Sequence, residues 1–297
     1  LAGTDDRAGT ILRDADAAMY RAKENGKAHH VVFDNAMRAK AVDRLETETA
    51  LHRAIEREEF EVFYQPIVSL HDARCIGAEA LVRWHHPERG LVEPASFIGA
   101  AEETGIIVPL GMWVLEQACR QLCQWRAADP AWDGLTMSVN LSPKLFAQPN
   151  LVREIAATLE RVGLPPRLLK LELTEGILVH HPHAANAMLK ELRAMGIAVC
   201  IDDFGTGYSS LSYLTNLNVD VLKIDRSFIN NLSSGTDGAE MVRNIVRLAT
   251  GLGLSVVAEG VETLDQSEQL AAMDCEFVQG FHFSRPVDAA TVWAKLL

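Results

Sequence analysis

Seven polar residues, Glu79, Asn140, Glu172, Asp202, Asp203, Lys223 and Glu259, each fall at or near the end of a short β-rich run. Five are carboxylates, and five carboxylates brought together repel unless cations sit among them. Oxygen-only ligands suit Mg2+ or Mn2+ rather than zinc, which prefers nitrogen and sulfur. The adjacent pair Asp202-Asp203 points to two ions, since neighbouring carboxylates at a strand end can bridge or serve cations about 3.5–4 Å apart. Two such ions suit cleavage of a phosphodiester. They clamp it, lower the pKa of a shared water and neutralise charge in the transition state. Lys223 follows the apolar residues Val219, Val221 and Leu222 and precedes Asp225. Its ammonium is placed to orient a water, and burial is expected to lower its pKa toward proton transfer.

Each of these residues also has a plainer reading. A lone carboxylate is usually solvated or caps a helix, and Asp202 could cap the one that follows it. His180, His181 and His183 precede a helical stretch without a Cys or an HxxxH partner, so they read as surface histidines. His85 and His86 follow Trp84 near the expected mouth, where loop polarity explains them as well as substrate contact does. The five tryptophans read as core and rim packing rather than base-stacking platforms, although Trp84 near the site could do either. Cys119 and Cys123 are four apart in a helical pattern and read as packing thiols, not metal ligands.

The elements that must position the seven residues come from periodicity. From Phe60 onward, β-rich runs alternate with helical ones, the pattern of a parallel α/β fold. Eight strands are expected, over 61–66, 74–83, 136–140, 169–174, 198–202, 219–224, 255–259 and 277–281. Helices are expected at 109–127, 150–162, 184–195, 238–252 and 264–273. Eight such units fit a TIM-like (β/α)8 barrel, whose typical size is ~250 residues. An open doubly wound sheet competes, but no GxGxxG follows the first strand. In a barrel the C-terminal strand ends converge on one face, making neighbours of residues distant in sequence. Before the barrel, 11–25 read as a helix closed by Gly26, 30–33 as a strand, and 36–58 as a charged connecting helix.

Forty Asp and Glu against twenty-eight Lys and Arg give a formal charge of −12, which argues against binding DNA or RNA polymers. Five cysteines without a CxxC pair suit a reducing cytoplasm. The most apolar stretch, 105–115, is too short to span a bilayer and contains Pro109. Leu1 is not an initiator methionine, so upstream segments are expected, with a membrane anchor or sensor possible among them.

The motifs then stand in a recognisable order: Glu79-Ala-Leu-Val-Arg83-Trp84, Asn140 within SVNLS, Glu172-Leu-Thr-Glu175, Asp202-Asp203-Phe-Gly-Thr-Gly207, Lys223-Ile-Asp225, Ala258-Glu259-Gly-Val-Glu262 and Gln279-Gly-Phe281. This set, running through residues 60–286, resembles the EAL family, which hydrolyses the bacterial second messenger cyclic di-GMP to linear pGpG. The resemblance implies two divalent cations, Mg2+ or Mn2+, on Glu79, Asn140, Glu172, Asp202, Asp203 and Glu259. It implies catalytic roles for Lys223, Glu259 and Glu79 and substrate contacts from Gln65, Leu81, Arg83 and Gln279. It also implies a loop after Asp203 (204–210) that links metal binding to dimerisation, steadied by Glu175, with Asp225 and Glu262 in supporting places. A homodimer through the barrel is expected on the same ground. The segment DADAAMYRAKENGK with the following VVFD resembles the C-terminal end of a GGDEF domain lacking its signature loop. The expected organisation is therefore a GGDEF remnant over 1–35, a connector over 36–58 and a phosphodiesterase barrel over 59–297. Two rivals stay open: a cyclic di-GMP receptor that does not turn it over, and a two-metal enzyme for another nucleotide.

Overall fold

A computed structural model of the chain describes residues 35–180, 182–205, 217–232 and 236–295. Strands β1 (Phe60–Ser69), β2 (Cys75–His86), β4 (Thr136–Asn140), β5 (Leu169–Thr174), β6 (Ala198–Phe204), β7 (Val221–Ile224), β8 (Ser255–Glu259) and β9 (Phe277–Gln279) close into one barrel, with β3 (Gly90–Val92) added to the free end of β2. The closed α/β barrel expected from the sequence is present. It is not uniformly parallel: β1 runs antiparallel to both of its neighbours, β2 and β9. The reason is local, because only 70–74 separate β1 from β2, too short for a crossover helix, so the chain must return as a hairpin.

Side-chain alternation along the strands builds two layers of core. Residues facing outward, such as Leu171, Leu173, Val199, Ile201, Leu222, Ile224, Val256 and Ala258, pack under the surrounding helices. Inside the barrel, Ile67, Cys200, Val221 and Val257 form a separate apolar cluster with Ile76 and Phe277 against it. One strand period further along lie Gln65, Asp202, Lys223, Glu259 and Gln279. A polar layer thus rests on an apolar plug, which closes the barrel beneath the C-terminal face.

Element bounds depart from expectation at three informative places. β2 extends to His86 rather than Arg83, because its last residues, Trp84 to His86, pair with β3, and Trp84 pairs with Phe60 of β1 as well. The strand expected from Val219 begins at Val221, and the one expected to reach Phe281 stops at Gln279, where Gly280 turns the chain. The helix Asn35–Glu56 is no free spacer at its C-terminal end: Leu51 and Ala54 are fully buried in the barrel's core, and the Arg89 guanidinium lies 3.6 Å from Glu46 and 3.4 Å from the Thr47 hydroxyl. The helix and strand expected in 11–33 lie outside the described residues.

The packing reading holds for Trp84, Trp113, Trp125 and Trp132, and the side chain of Trp293 lies outside the described residues. Trp84 is buried among Phe60 and Phe97, and its indole N–H donates to Glu59. His85 meets Glu61 at 2.5 Å, and His86 Nδ1 accepts from the N–H groups of Glu88 and Arg89, so both histidines serve the hairpin. All five cysteines are free thiols, and Cys119 is buried in the helix Ile107–Ala128. The side chains of His180, His181 and His183 lie outside the described residues. Among the described residues no helix is long and apolar enough to cross a membrane.

Candidate metal centre and active site

Lys223 is the hub of the polar layer. Its side chain is 1% exposed, and Nζ lies 2.5 Å from Glu172 Oε2, 2.5 Å from Glu259 Oε1, 3.2 Å from Asp202 Oδ1 and 3.6 Å from Glu79 Oε2. Four carboxylates from β2, β5, β6 and β8 therefore converge on one ammonium from β7, as expected if strand ends assemble the site. Glu79 differs in detail. It stands midway along β2, at the end of the segment that pairs with β4 (Gly77–Ala80 against Thr136–Val139), because β2 runs on beyond the barrel.

Glu79 is held on both oxygens. Asn140 Nδ2 donates to Oε1 and Gln279 Nε2 to Oε2, each at 2.6 Å. Burial alone would raise its pKa, but Lys223 and these two amides outweigh it, so Glu79 titrates below the ordinary carboxylate range. Glu172 is held through one oxygen, Oε2, by Lys223. Its Oε1 is buried without a hydrogen-bond partner, and burial together with the neighbouring Glu79 charge holds its pKa well above the usual value. Glu259 is pushed up to about 8, chiefly by burial.

Asp202 and Asp203 are adjacent, so in a regular strand they would face opposite sides. They do not, because the β6–β7 register shifts between Ile201 and Phe204 and Asp203 takes a left-handed backbone with φ 53°. Aspartate is among the few non-glycine residues that enter this region readily. The Asp203 N–H donates to Asp202 Oδ1 at 3.0 Å. The bulge brings one carboxylate oxygen each from Asp202, Asp203 and Glu259 within 4.8 Å of one another. Burial and the Asp202 charge raise the Asp203 pKa. This concentration of oxygen donors, with an orphaned carboxylate oxygen on Glu172 beside it, fits hard divalent cations.

One expectation is reversed. Burial would indeed drive Lys223 toward its neutral form, but Glu172, Glu259, Glu79 and Asp202 outweigh it and hold the lysine pKa well above its ordinary value. With no cation among these carboxylates, Lys223 is therefore charged.

Above this floor, β1 and β2 form a wall. Gln65 pairs with Glu79, Phe63 with Leu81 and Glu61 with Arg83. Leu81 is half-buried, and the Arg83 guanidinium lies 5.4 Å from the Phe63 ring centroid. Gln65 is tied down at both ends: Nε2 donates to the Ser284 carbonyl and Oε1 accepts from Gln279 Nε2, both at 3.0 Å. Gln279 Oε1 is buried and has no hydrogen-bond partner.

The supporting residues separate. Asp225 caps the helix Arg226–Asn230, accepting from the Ser227 N–H at 3.0 Å. Glu262 presents an exposed side chain, while its backbone N–H is bound by Gln266 Oε1. Glu175 begins the helix Glu175–His180, and the loop it is expected to steady lies, from Thr206 onward, outside the described residues. Phe63 and Ser284 were not singled out from sequence. Phe63 was open to discovery by alternation, two residues before Gln65, whereas Ser284 acts through a backbone carbonyl that no residue type reveals.

Comparisons with known proteins agree with this geometry. A family model described as "EAL domain" matches residues 48–286. The "Bifunctional diguanylate cyclase/cyclic di-GMP phosphodiesterase MucR" of Pseudomonas aeruginosa is 43% identical over 287 residues, 96% of this chain and 42% of its own length. The "Cyclic di-GMP phosphodiesterase NbdA" of the same organism is 40% identical over 282 residues, 95% of this chain and 36% of its own. The chain thus spans about two fifths of these relatives. The solved structure of "PaMucR Phosphodiesterase, c-di-GMP complex" superposes with a TM-score of 0.80 at 44% identity, over 83% of this chain and 99% of that one.

Proposed function

The chain belongs to the EAL domain family, and from that premise we propose that it hydrolyses cyclic di-GMP to linear pGpG with two divalent cations, Mg2+ or Mn2+. One observation carries the reading: carboxylates from four strands, with Asp203 turned inward by a bulge, converge on a buried lysine.

In this proposal Glu79, Asn140, Glu172, Asp202, Asp203 and Glu259 hold the cations. The cations supply Lewis-acid charge that neutralises the phosphodiester and acidifies water. Lys223, buried beside Glu172 and Glu259, donates a hydrogen bond that orients the attacking water. Gln279 keeps a buried acceptor, Oε1, for a donor on the ligand, because Gln65 and Glu79 occupy its amide nitrogen. Gln65 then acts mainly by holding Gln279. Arg83, braced by its bond to the Val82 carbonyl and by Phe63, offers a planar fork for a phosphate or a guanine edge, with Leu81 supplying apolar contact.

The wider organisation is part of the proposal. Residues 1–35 are read as the end of a GGDEF domain, 36–58 as the connector and 59–297 as the phosphodiesterase. The protein is read as cytoplasmic at this domain and homodimeric through the barrel. The test is chromatography of the products formed from cyclic di-GMP and, separately, cyclic di-AMP in Mn2+. Accumulating pGpG with cyclic di-AMP untouched supports the reading. Equal turnover of both, or binding without a product, contradicts it.

A further inference from the structure

Gln266 joins the two loops that leave Lys223 and Glu259, and the chemistry above does not use it. It is the third residue of the helix Leu264–Ala271 and forms a capping box with Thr263. Its Oε1 accepts from the N–H groups of Glu262 at 2.8 Å and Thr263 at 3.1 Å, in the loop descending from Glu259. Its Nε2 donates at 3.3 Å to the carbonyl of Ile229, in the helix that Asp225 caps two residues after Lys223. The side chain is buried. Capping requires only Oε1, so the bond to Ile229 serves something else.

The same two loops meet again at Gly260. Its φ is 71°, and a Cβ there would lie 2.4 Å from Arg226 Cβ. The β8 loop is gripped from its other side as well. The Val261 N–H donates to the Gln279 carbonyl and the Val261 carbonyl accepts from the His282 N–H, while a Cβ on Gly280 would fall 2.1 Å from Val261 O. The β8 loop is thus wedged between its two neighbours, and among the described residues Gln266 is the one side chain in that wedge that bonds to both the β7 and the β8 loops.

We propose that Gln266 is a positioning residue: by tying Ile229 to Glu262 and Thr263 it sets the approach of Lys223 to Glu259 across the metal centre. In its catalytic consequence this rests on the proposed function. In its structural content it does not.

The test compares the full chain with Gln266→Glu, Gln266→Met and Gln269→Ala. Glutamate keeps the capping acceptor and is favoured at this helix position, but it cannot donate to Ile229. Methionine keeps the volume and removes both ends of the link. Gln269 bonds only Asp265 of its own helix among the interactions described and serves as control. Mn2+ binding is read by calorimetry per folded molecule, and turnover of cyclic di-GMP as separate kcat and KM. Gln266→Glu is expected to weaken Mn2+ binding about tenfold and lower kcat about tenfold, with KM within about twofold. Gln266→Met should be at least as impaired and Gln269→Ala unchanged. Mn2+ affinity and kcat at wild-type values in folded Gln266→Glu overturn the proposal, as does Gln266→Met outperforming it. If the wild-type chain does not turn over cyclic di-GMP, the proposed substrate fails, and the Mn2+ titrations alone decide the role of Gln266.

Discussion

Lys223 Nζ lies 2.5 Å from Glu259 Oε1, joining the C-terminal ends of two neighbouring strands through a bond that no solvent reaches from the lysine side. The contact lets Lys223 offset the charge of the carboxylate ring, and the proposed function adds a second duty, presenting a donor to the reacting water. Lys223→Met should remove both. Turnover of cyclic di-GMP is expected to fall by about 10²–10⁴. In chelator the variant should be less stable by about 3–5 kcal/mol, since a buried ion pair loses one partner. Added Mn2+ should recover much of that loss in a thermal melt. A variant as active as the wild type excludes Lys223 from the reaction.

The raised carboxylates give the metal-free protein a pH dependence with a definite sign. Glu259 titrates near 8, and Glu172 and Asp203 shift in the same direction. Above the ordinary carboxylate range, the folded state then binds more protons than the unfolded one, so stability declines as pH rises toward 8. Lys223 adds no slope in this window, because its contribution is fully present below the ordinary lysine value. Glu79, shifted downward, loses its contribution only in acid. Melting in chelator should therefore occur at a lower temperature at pH 8 than at pH 6, and Mn2+ should raise it more at pH 8. A chelated protein that grows more stable from pH 6 to pH 8 contradicts the reading.

Asp203→Asn separates charge from backbone. Asparagine tolerates the left-handed conformation nearly as well as aspartate, so the bulge should persist and stability should change by less than about 1 kcal/mol. The lost carboxylate should weaken Mn2+ binding by at least about 10–100-fold in a calorimetric titration. Unchanged Mn2+ binding would remove Asp203 from the ligand set.

The helix Asn35–Glu56 is expected to contribute to the barrel's stability. Leu51 is fully buried in the core, so Leu51→Ala should lower unfolding free energy by about 2–5 kcal/mol, measured by urea denaturation. A loss under about 0.5 kcal/mol, the range of surface substitutions, would return the helix to the status of a spacer.

What the sequence disclosed and what it withheld follow from the range of the interactions. Alternation along a strand is local, so Lys223, Glu259 and their apolar partners Val221 and Val257 were legible as one face of β7 and β8. The direction of β1 was less so, although the five residues before β2 leave no room for a crossover. The inward turn of Asp203 depends on a register shift against β7, a tertiary event. The sign of the Lys223 pKa depends on four carboxylates from four other strands. Burial is readable from neighbouring Val221 and Leu222, but the charges that overrule it are not. Gln266 fell within the helix expected at 264–273, while its capping box with Thr263 and its bond to Ile229 came only with the fold.

The most direct test of two-metal hydrolysis is the initial rate of pGpG formation in Mn2+, for the wild-type chain, the same chain in excess chelator and Glu79→Ala. Product from the wild type, with none in chelator and a loss of at least about 10²-fold in Glu79→Ala, is the expected result. Product formation that persists in chelator, or that Glu79→Ala leaves intact, would contradict it.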